Sequence, residues 1–242
     1  MAGDRKDVPT IDSAELKELT DKLITSCHIL DHEGITDGYG HVAVRVPGAE
    51  AFITIANISP GSVTRDRLIM QDFAGNHLDG ATTPPNEWPI HACILKARPE
   101  IVSVAHTHSK WSTIFSVLPV KLKPLHHYGK FLSADGPPVY EGVGLVRTIE
   151  RGNDLAAALG DGPAVLMRAH GDAVVGESIE QMIERTTRLA MLGEWNHLAL
   201  LHGQPKYLSA EELEVYNADQ KFPLRGWEYF IDRLRRARTR ME

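Results

Sequence analysis

The 242-residue sequence predicts an α/β domain, and three observations carry that expectation. Segments with apolar residues at helical spacing follow or precede short, strand-like apolar runs, the pattern of helices layered on a sheet. The first strand-like runs are joined by tight turn sequences, so neighbouring strands are expected to run antiparallel. No repeat, low-complexity tract or linker breaks the chain, so one domain is expected over 11–242, after a disordered stretch at 1–10.

The elements follow in order. Leu16, Leu19, Leu23, Cys27 and Leu30 recur every three or four residues and predict a helix. Asp12 and Glu15 suit its start, and Gly34 and Gly38 end it. "HVAVRV" (41–46) alternates, with Val42, Val44 and Val46 on one face and His41 and Arg45 on the other. "AFITIA" (51–56) is its hairpin partner across "PGAE", and "RLIMQDF" (67–73), "AGN" and the "DG" at 79–80 continue the antiparallel pattern. "NEWPIHACILKA" (86–97) reads as a helix stopped by Pro99. "IVSVAHTH" (101–108) is a strand and "SKWSTIFSV" a short helix. Residues 121–146 are rich in Pro, Gly and His, with strand-like ends at "LKPLHHY" and "GVGLV". A helix over 149–159 and a strand "AVLMRAH" (164–170) come next. The longest helix covers 177–201, its inner face carrying Ile179, Met182, Ile183, Thr186, Leu189 and Leu200 or Leu201. "SAEE" (209–212) is a capping box that opens another helix, and 223–240 forms the last, so C-terminal helices occupy about 209–240.

Composition bounds the function. Apolar residues make up 43% and charged residues 24%, ordinary for a soluble globular protein. A net charge of −6 excludes a broad basic surface for nucleic acid. The basic run "DRLRRARTR" reads as the solvated face and C-terminal end of a helix. Cys27 and Cys93 match no metal or redox spacing and read as core residues. The polar N-terminus lacks an apolar signal core, and no apolar run approaches the ~18 residues of a membrane span. A cytoplasmic protein without membrane partners is expected.

His106 and His108 sit at i and i+2 where a strand ends, so both rings fall on one face. His170 ends another strand and is followed at once by Gly171. Three imidazoles from two strand ends can form an open metal site, and this ligand type suits Mn, Zn, Fe or Co alike. Glu87, at a helix start behind two prolines, reads either as a catalytic carboxylate or as a first-turn glutamate complementing the helix dipole. His91 has no obvious partner, and one of the adjacent His126 and His127 can face the site.

"PPNEWPIHACILKARPEIVSVAHTHS", with "RAHGDAVVG" about sixty residues later, resembles the class II aldolase/adducin family. "GHVAVRV" and "ISPGSVT" resemble its substrate-loop region, and the likeness covers roughly residues 12–205. The resemblance implies a three-layer α/β/α sandwich on a mostly antiparallel central sheet. It implies one divalent metal per subunit on His106, His108 and His170, with Glu87 as acid/base and able to touch the metal. It also implies a homotetramer or larger ring, with the site near a subunit interface and a small-molecule substrate.

One departure matters. Sugar-phosphate aldolases of this family carry an Asn after the first-motif glycine and serines in the P-x-x-E turn, all binding phosphate. Here Gly40 is followed by His41, and the turn reads Pro84, Pro85, Asn86, Glu87. Ser59 and Gly61 preserve part of an anion nest. "GHVAVR", "ISPGSVT" and "PLHHYGKFL" resemble instead the branch of decarboxylases of hydroxylated aromatic or pyridine carboxylic acids, enzymes of aromatic degradation. For a hydroxylated aromatic acid, His41, Arg45 or His127 is the candidate to hold a second carboxylate or hydroxyl, with Tyr128 a further substrate-contact candidate and Arg45 reading equally as a surface strand residue. A sugar-phosphate aldolase, epimerase or dehydratase, a non-haem iron oxygenase and a non-catalytic interaction module remain as alternatives.

Overall fold

The hairpins that the turn sequences dictate build one half of the sheet. The computed structural model describes residues 8–218 and 225–239, so residues 1–7 of the expected disordered stretch lie outside the described residues. β1 (His41–Arg45) pairs with β2 (Ala51–Ile55), β2 with β3 (Leu68–Asp72) and β3 with β4 (His77–Gly80), all antiparallel. On the other side of β1 lie β5 (Ser103–Thr107), β8 (Gly171–Gly176), β7 (Ala164–Met167) and the two-residue β6 (Val139–Tyr140). The order is β4-β3-β2-β1-β5-β8-β7-β6, and only β6–β7 is parallel.

Period-two alternation sends side chains to two apolar layers. Val42, Val44, Ile53, Ile55, Leu68 and Met70 pack under α1 (Lys17–His32), α5 (Ile179–Leu200) and α7 (Arg225–Thr239). Phe115 of α3 (Lys110–Val117) extends that layer over Leu166 and Val174. The opposite face presents Ala43, Phe52, Val104, Val165 and Ala173 to α2 (Trp88–Ala97) and α4 (Ile149–Leu159). The result is a three-layer sandwich on a mostly antiparallel sheet. α6 (Ala210–Asn217) starts with the expected reciprocal capping box between Ser209 and Glu212. Leu200 is half-buried against the core, while Leu201 is exposed. Cys27 and Cys93 are buried, and burial pushes their thiols up to about 12 and about 11. No helix among the described residues is long and apolar enough to cross a membrane.

Four local expectations are corrected. α1 begins only at Lys17, with Leu16 at its cap and no side-chain cap bond, so Asp12 and Glu15 do not start it. The preceding residues are drawn instead onto β4: Ile11 is buried, and its N–H donates to Asp79 Oδ2 at 2.7 Å. "LKPLHHY" and "GVGLV" form no strands; only Val139 and Tyr140 pair, because prolines 119, 124, 137 and 138 withhold the N–H groups a ladder needs. β7 stops at Met167, and Arg168–His170 is a turn with Ala169 at φ 56°. β8 itself, "GDAVVG", is diluted by two glycines and an aspartate, which hides its strand character in the sequence.

Candidate metal centre

β1, β5 and β8 are adjacent, and their register decides what meets where. His41 stands opposite His106 across β1–β5, and Ala173 stands opposite His106 across β5–β8. His108 follows β5 on the same face, and His170 ends the turn that feeds β8. That turn sits tight against β5. A Cβ on Gly171 would lie 2.0 Å from the Thr107 carbonyl oxygen, so the residue after His170 has to be glycine. α2 enters the same corner, and Glu87 precedes its first residue.

These elements gather Glu87, His106, His108 and His170 so that one ligand atom from each lies within 4.8 Å of all the others. Glu87 Oε2 is 3.4 Å from His170 Nε2 and 3.8 Å from His106 Nε2. Glu87 makes no cap bond to its own helix; its Oε1 accepts the Val146 N–H at 2.6 Å. The Nε2 atoms of all three histidines are buried without a hydrogen-bond partner among the described residues. Each such orphan costs about 1–3 kcal/mol, and a shared cation would satisfy all three together. Three imidazoles and a carboxylate are a donor set that suits Mn, Zn, Fe or Co, so the residues present fit a divalent metal.

A supporting shell orients the rings. His106 Nδ1 donates to the Asp172 carbonyl oxygen at 2.8 Å, which leaves Nε2 as its free lone pair. The Asp172 carboxylate is buried, accepting from Thr107 Oγ1 at 2.7 Å and from the Ser112 hydroxyl. Burial raises Asp172 to about 6 against the opposing pull of those hydroxyls. Burial also lowers His106 well below the usual histidine range and lowers His108, favouring the neutral form of the ring that a metal would require. For Glu87, burial pushes upward, but the His170 and His106 rings and the Val146 N–H outweigh it, so the carboxyl sits below its ordinary value.

The substrate-contact candidates separate in space. A cleft of about 350 Å³ is lined by Glu87, His106 and His108 together with His41, Tyr39, Asn57, Pro85, Asn86, Leu145 and Arg147. That volume is in the range of small-molecule sites. No serine or threonine lines it, and Ser59 and Gly61 stand outside it. Gly61 packs on α1, where a Cβ would meet Asp31 at 2.4 Å. Arg45 also lies elsewhere, at the far end of β1. It closes the C-terminus of α2, with Nε donating to the Ile101 carbonyl at 3.0 Å and Nη2 to the Arg98 carbonyl at 3.1 Å. His127 and Tyr128 form a turn against α5 and α6, with Arg188 3.5 Å over the Tyr128 ring and His127 5.7 Å from Tyr216. Within one chain they do not line the cleft.

Sequence reasoning missed three participants. Asp172 and Arg147 carry no spacing signal. His91 does carry one: it lies one helical turn after Glu87, on the same face. Its Nε2 is 2.6 Å from His41 Nδ1, and the ring is fully buried. His91 Nδ1 has no hydrogen-bond partner among the described residues, and an orphaned lone pair costs less than an orphaned N–H. His91 therefore donates through Nε2, which places the proton of His41 on its own Nε2.

Burial lowers His91 to about 3, against an ordinary value of 6.5. Between those values the unfolded chain binds the proton and the folded one does not, so this group's contribution to stability falls as pH falls. In metal-free protein, wild type relative to His91→Phe should lose about 2 kcal/mol between pH 6.5 and pH 5, at ~1.4 kcal/mol per unit. Denaturant titrations at both pH values measure this; an unchanged difference would show that His91 titrates alike in both states.

The site and sheet define a class before any closer relation. The chain belongs to the family described as Class II Aldolase and Adducin N-terminal domain, which matches residues 21–196. The 3,4-dihydroxyphthalate decarboxylase of Terrabacter sp. (strain DBF63) is 29% identical over 204 residues, 78% of this chain and 84% of that protein. A 5-methylthioribulose-1-phosphate/5-deoxyribulose-1-phosphate aldolase of Escherichia coli is 26% identical over 169 residues, 69% of this chain and 77% of that protein. Among solved structures, an aldolase II superfamily protein from Pseudomonas syringae superposes with a TM-score of 0.82 at 23% identity, covering 93% of this chain and 95% of that one.

Proposed function

We propose that this chain is a divalent-metal-dependent decarboxylase of a hydroxylated aromatic carboxylic acid. The observation that carries the reading is the cleft wall: where a phosphate dianion would need hydroxyl donors, it offers His41, Pro85 and Asn86 and no serine or threonine. The similarity to dihydroxyphthalate decarboxylases supports it. His106, His108 and His170 would hold the metal, with Glu87 beside it. A bound divalent cation supplies positive charge where negative charge develops on the substrate oxygens.

The chain's own groups handle the proton. Glu87 rests as a carboxylate and takes the proton of the substrate hydroxyl. It then delivers that proton to the ring carbon bearing the carboxylate. The bond from that carbon to the carboxylate breaks, its electron pair returns to the ring, and CO₂ leaves. A solvent proton finally restores the hydroxyl. His41, held by His91, donates its Nε2–H to an oxygen of the bound acid. A cytoplasmic location and a ring-shaped homotetramer or larger assembly belong to the same reading.

Metal-reconstituted protein incubated with dihydroxyphthalates, dihydroxybenzoates and sugar phosphates tests it, with products read by mass. An ortho-hydroxylated aromatic acid should release CO₂, sugar phosphates should stay intact, millimolar inorganic phosphate should leave turnover unchanged, and the product formed in D₂O should carry deuterium where the carboxylate was. Intact acids alongside cleavage of a phosphorylated ketose into two carbonyl fragments would make the protein an aldolase, the reading that the 26% identity to a sugar-phosphate aldolase favours.

A further inference from the structure

The segment after β6 holds an unpaired cation against the cleft. Val146 is fully buried, and its N–H donates to Glu87 Oε1 at 2.6 Å. Its neighbours Leu145 and Arg147 turn the other way, are exposed, and both line the cleft. Arg151 holds the strap from behind, donating to the Leu145 carbonyl at 3.1 Å and the Val143 carbonyl at 3.0 Å. The Arg147 guanidinium itself has no ion-pair or hydrogen-bond partner among the described residues, although the arginine four residues on is tied down by two backbone bonds. A fixed backbone carrying a free guanidinium at the mouth of a site suits recognition of a planar anion, which the guanidinium fork meets with two parallel hydrogen bonds.

We propose that Arg147 is a specificity-determining residue that binds a second carboxylate of the substrate, so that the cleft selects aromatic dicarboxylates over monocarboxylates. This rests on the aromatic-acid reading and narrows its substrate class. The carboxylate to be lost lies toward Glu87 and the three histidines, the ring lies beside Leu145 and Pro85, and the retained carboxylate meets Arg147. The same strap positions Glu87 through Val146, so the anion site and the acid are separated by one peptide unit.

Two unreactive probes isolate the binding step, because neither phthalate nor benzoate carries the hydroxyl that the proton transfer needs. Calorimetry on metal-loaded wild type should show tighter binding of phthalate than of benzoate. Arg147→Gln should weaken phthalate about tenfold or more and leave benzoate within about twofold, while Arg147→Lys should recover part of the loss. Arg147 is exposed, so neither substitution disturbs the core. Equal weakening of both probes, no weakening of phthalate, or no preference in wild type would overturn the proposal. A wild type that releases CO₂ but shows no phthalate preference, or keeps the preference in Arg147→Gln, would remove the role of Arg147 alone; a wild-type preference lost in Arg147→Gln without CO₂ release from any acid would remove the decarboxylase reading alone.

Discussion

A His106→Ala/His170→Ala variant is expected to lose divalent-metal affinity by at least ~100-fold while the sheet stays folded. The expectation follows from geometry. His106 lies in the central strand β5, His170 lies in the turn before β8, and each turns an unpartnered Nε2 into the same space. Removing both leaves only His108 and Glu87, an incomplete site. Metal content after dialysis measures the loss, and circular dichroism checks the fold. Wild-type also predicts the reverse effect: metal should raise the unfolding temperature, because it binds the native state and relieves three desolvated nitrogens. Full metal occupancy in the double variant would sink the assignment of these ligands.

Glu87→Gln is the second large effect. The substitution keeps shape, and the amide oxygen can still accept the Val146 N–H that now reaches Oε1. What it removes is a group able to take and return a proton. Turnover should fall by ~10²-fold or more, with KM changed by only a few-fold. Because Glu87 also stands 3.4 Å from His170 Nε2, turnover has to be expressed per bound metal. A loss that vanishes on that basis would make Glu87 a ligand only, and turnover near wild type would leave it a structural residue at the start of α2.

Much of the frame was legible because it rests on local rules. The alternation in "HVAVRV" and "AFITIA" and the turn between them became β1 and β2 with the expected faces. The capping box at Ser209 and the stop at Pro99 also act within one turn of chain. The illegible parts depend on distant chain. Asp12 and Glu15 carry a helix-start signal, but the contact of Ile11 with β4 decides that stretch instead. Arg45 looked free for a ligand on an outward strand position, yet α2 ends above it and its exposed carbonyls capture the guanidinium. The histidines 106, 108 and 170 were visible as a set because two stand at i and i+2 where a strand ends and the third precedes a glycine. The role of His91 was not, because its spacing points only to Glu87, whereas its partner His41 lies fifty residues away, across a sheet-to-helix contact.

The pairing of β5 with β8 sets His106 opposite Ala173 and Thr107 opposite Asp172. Strand side chains alternate with a period of two, so a slip of one residue would turn the His106 and His108 rings to the α1–α5 side and leave the pocket beside α2 without them. On the proposed ligand assignment, a cation would stabilise only the chain whose β5 and β8 have zipped in step, which would make the constellation a proofreader of strand alignment. The fraction of freshly refolded protein that takes up metal would then count the molecules whose central strands have found their native alignment.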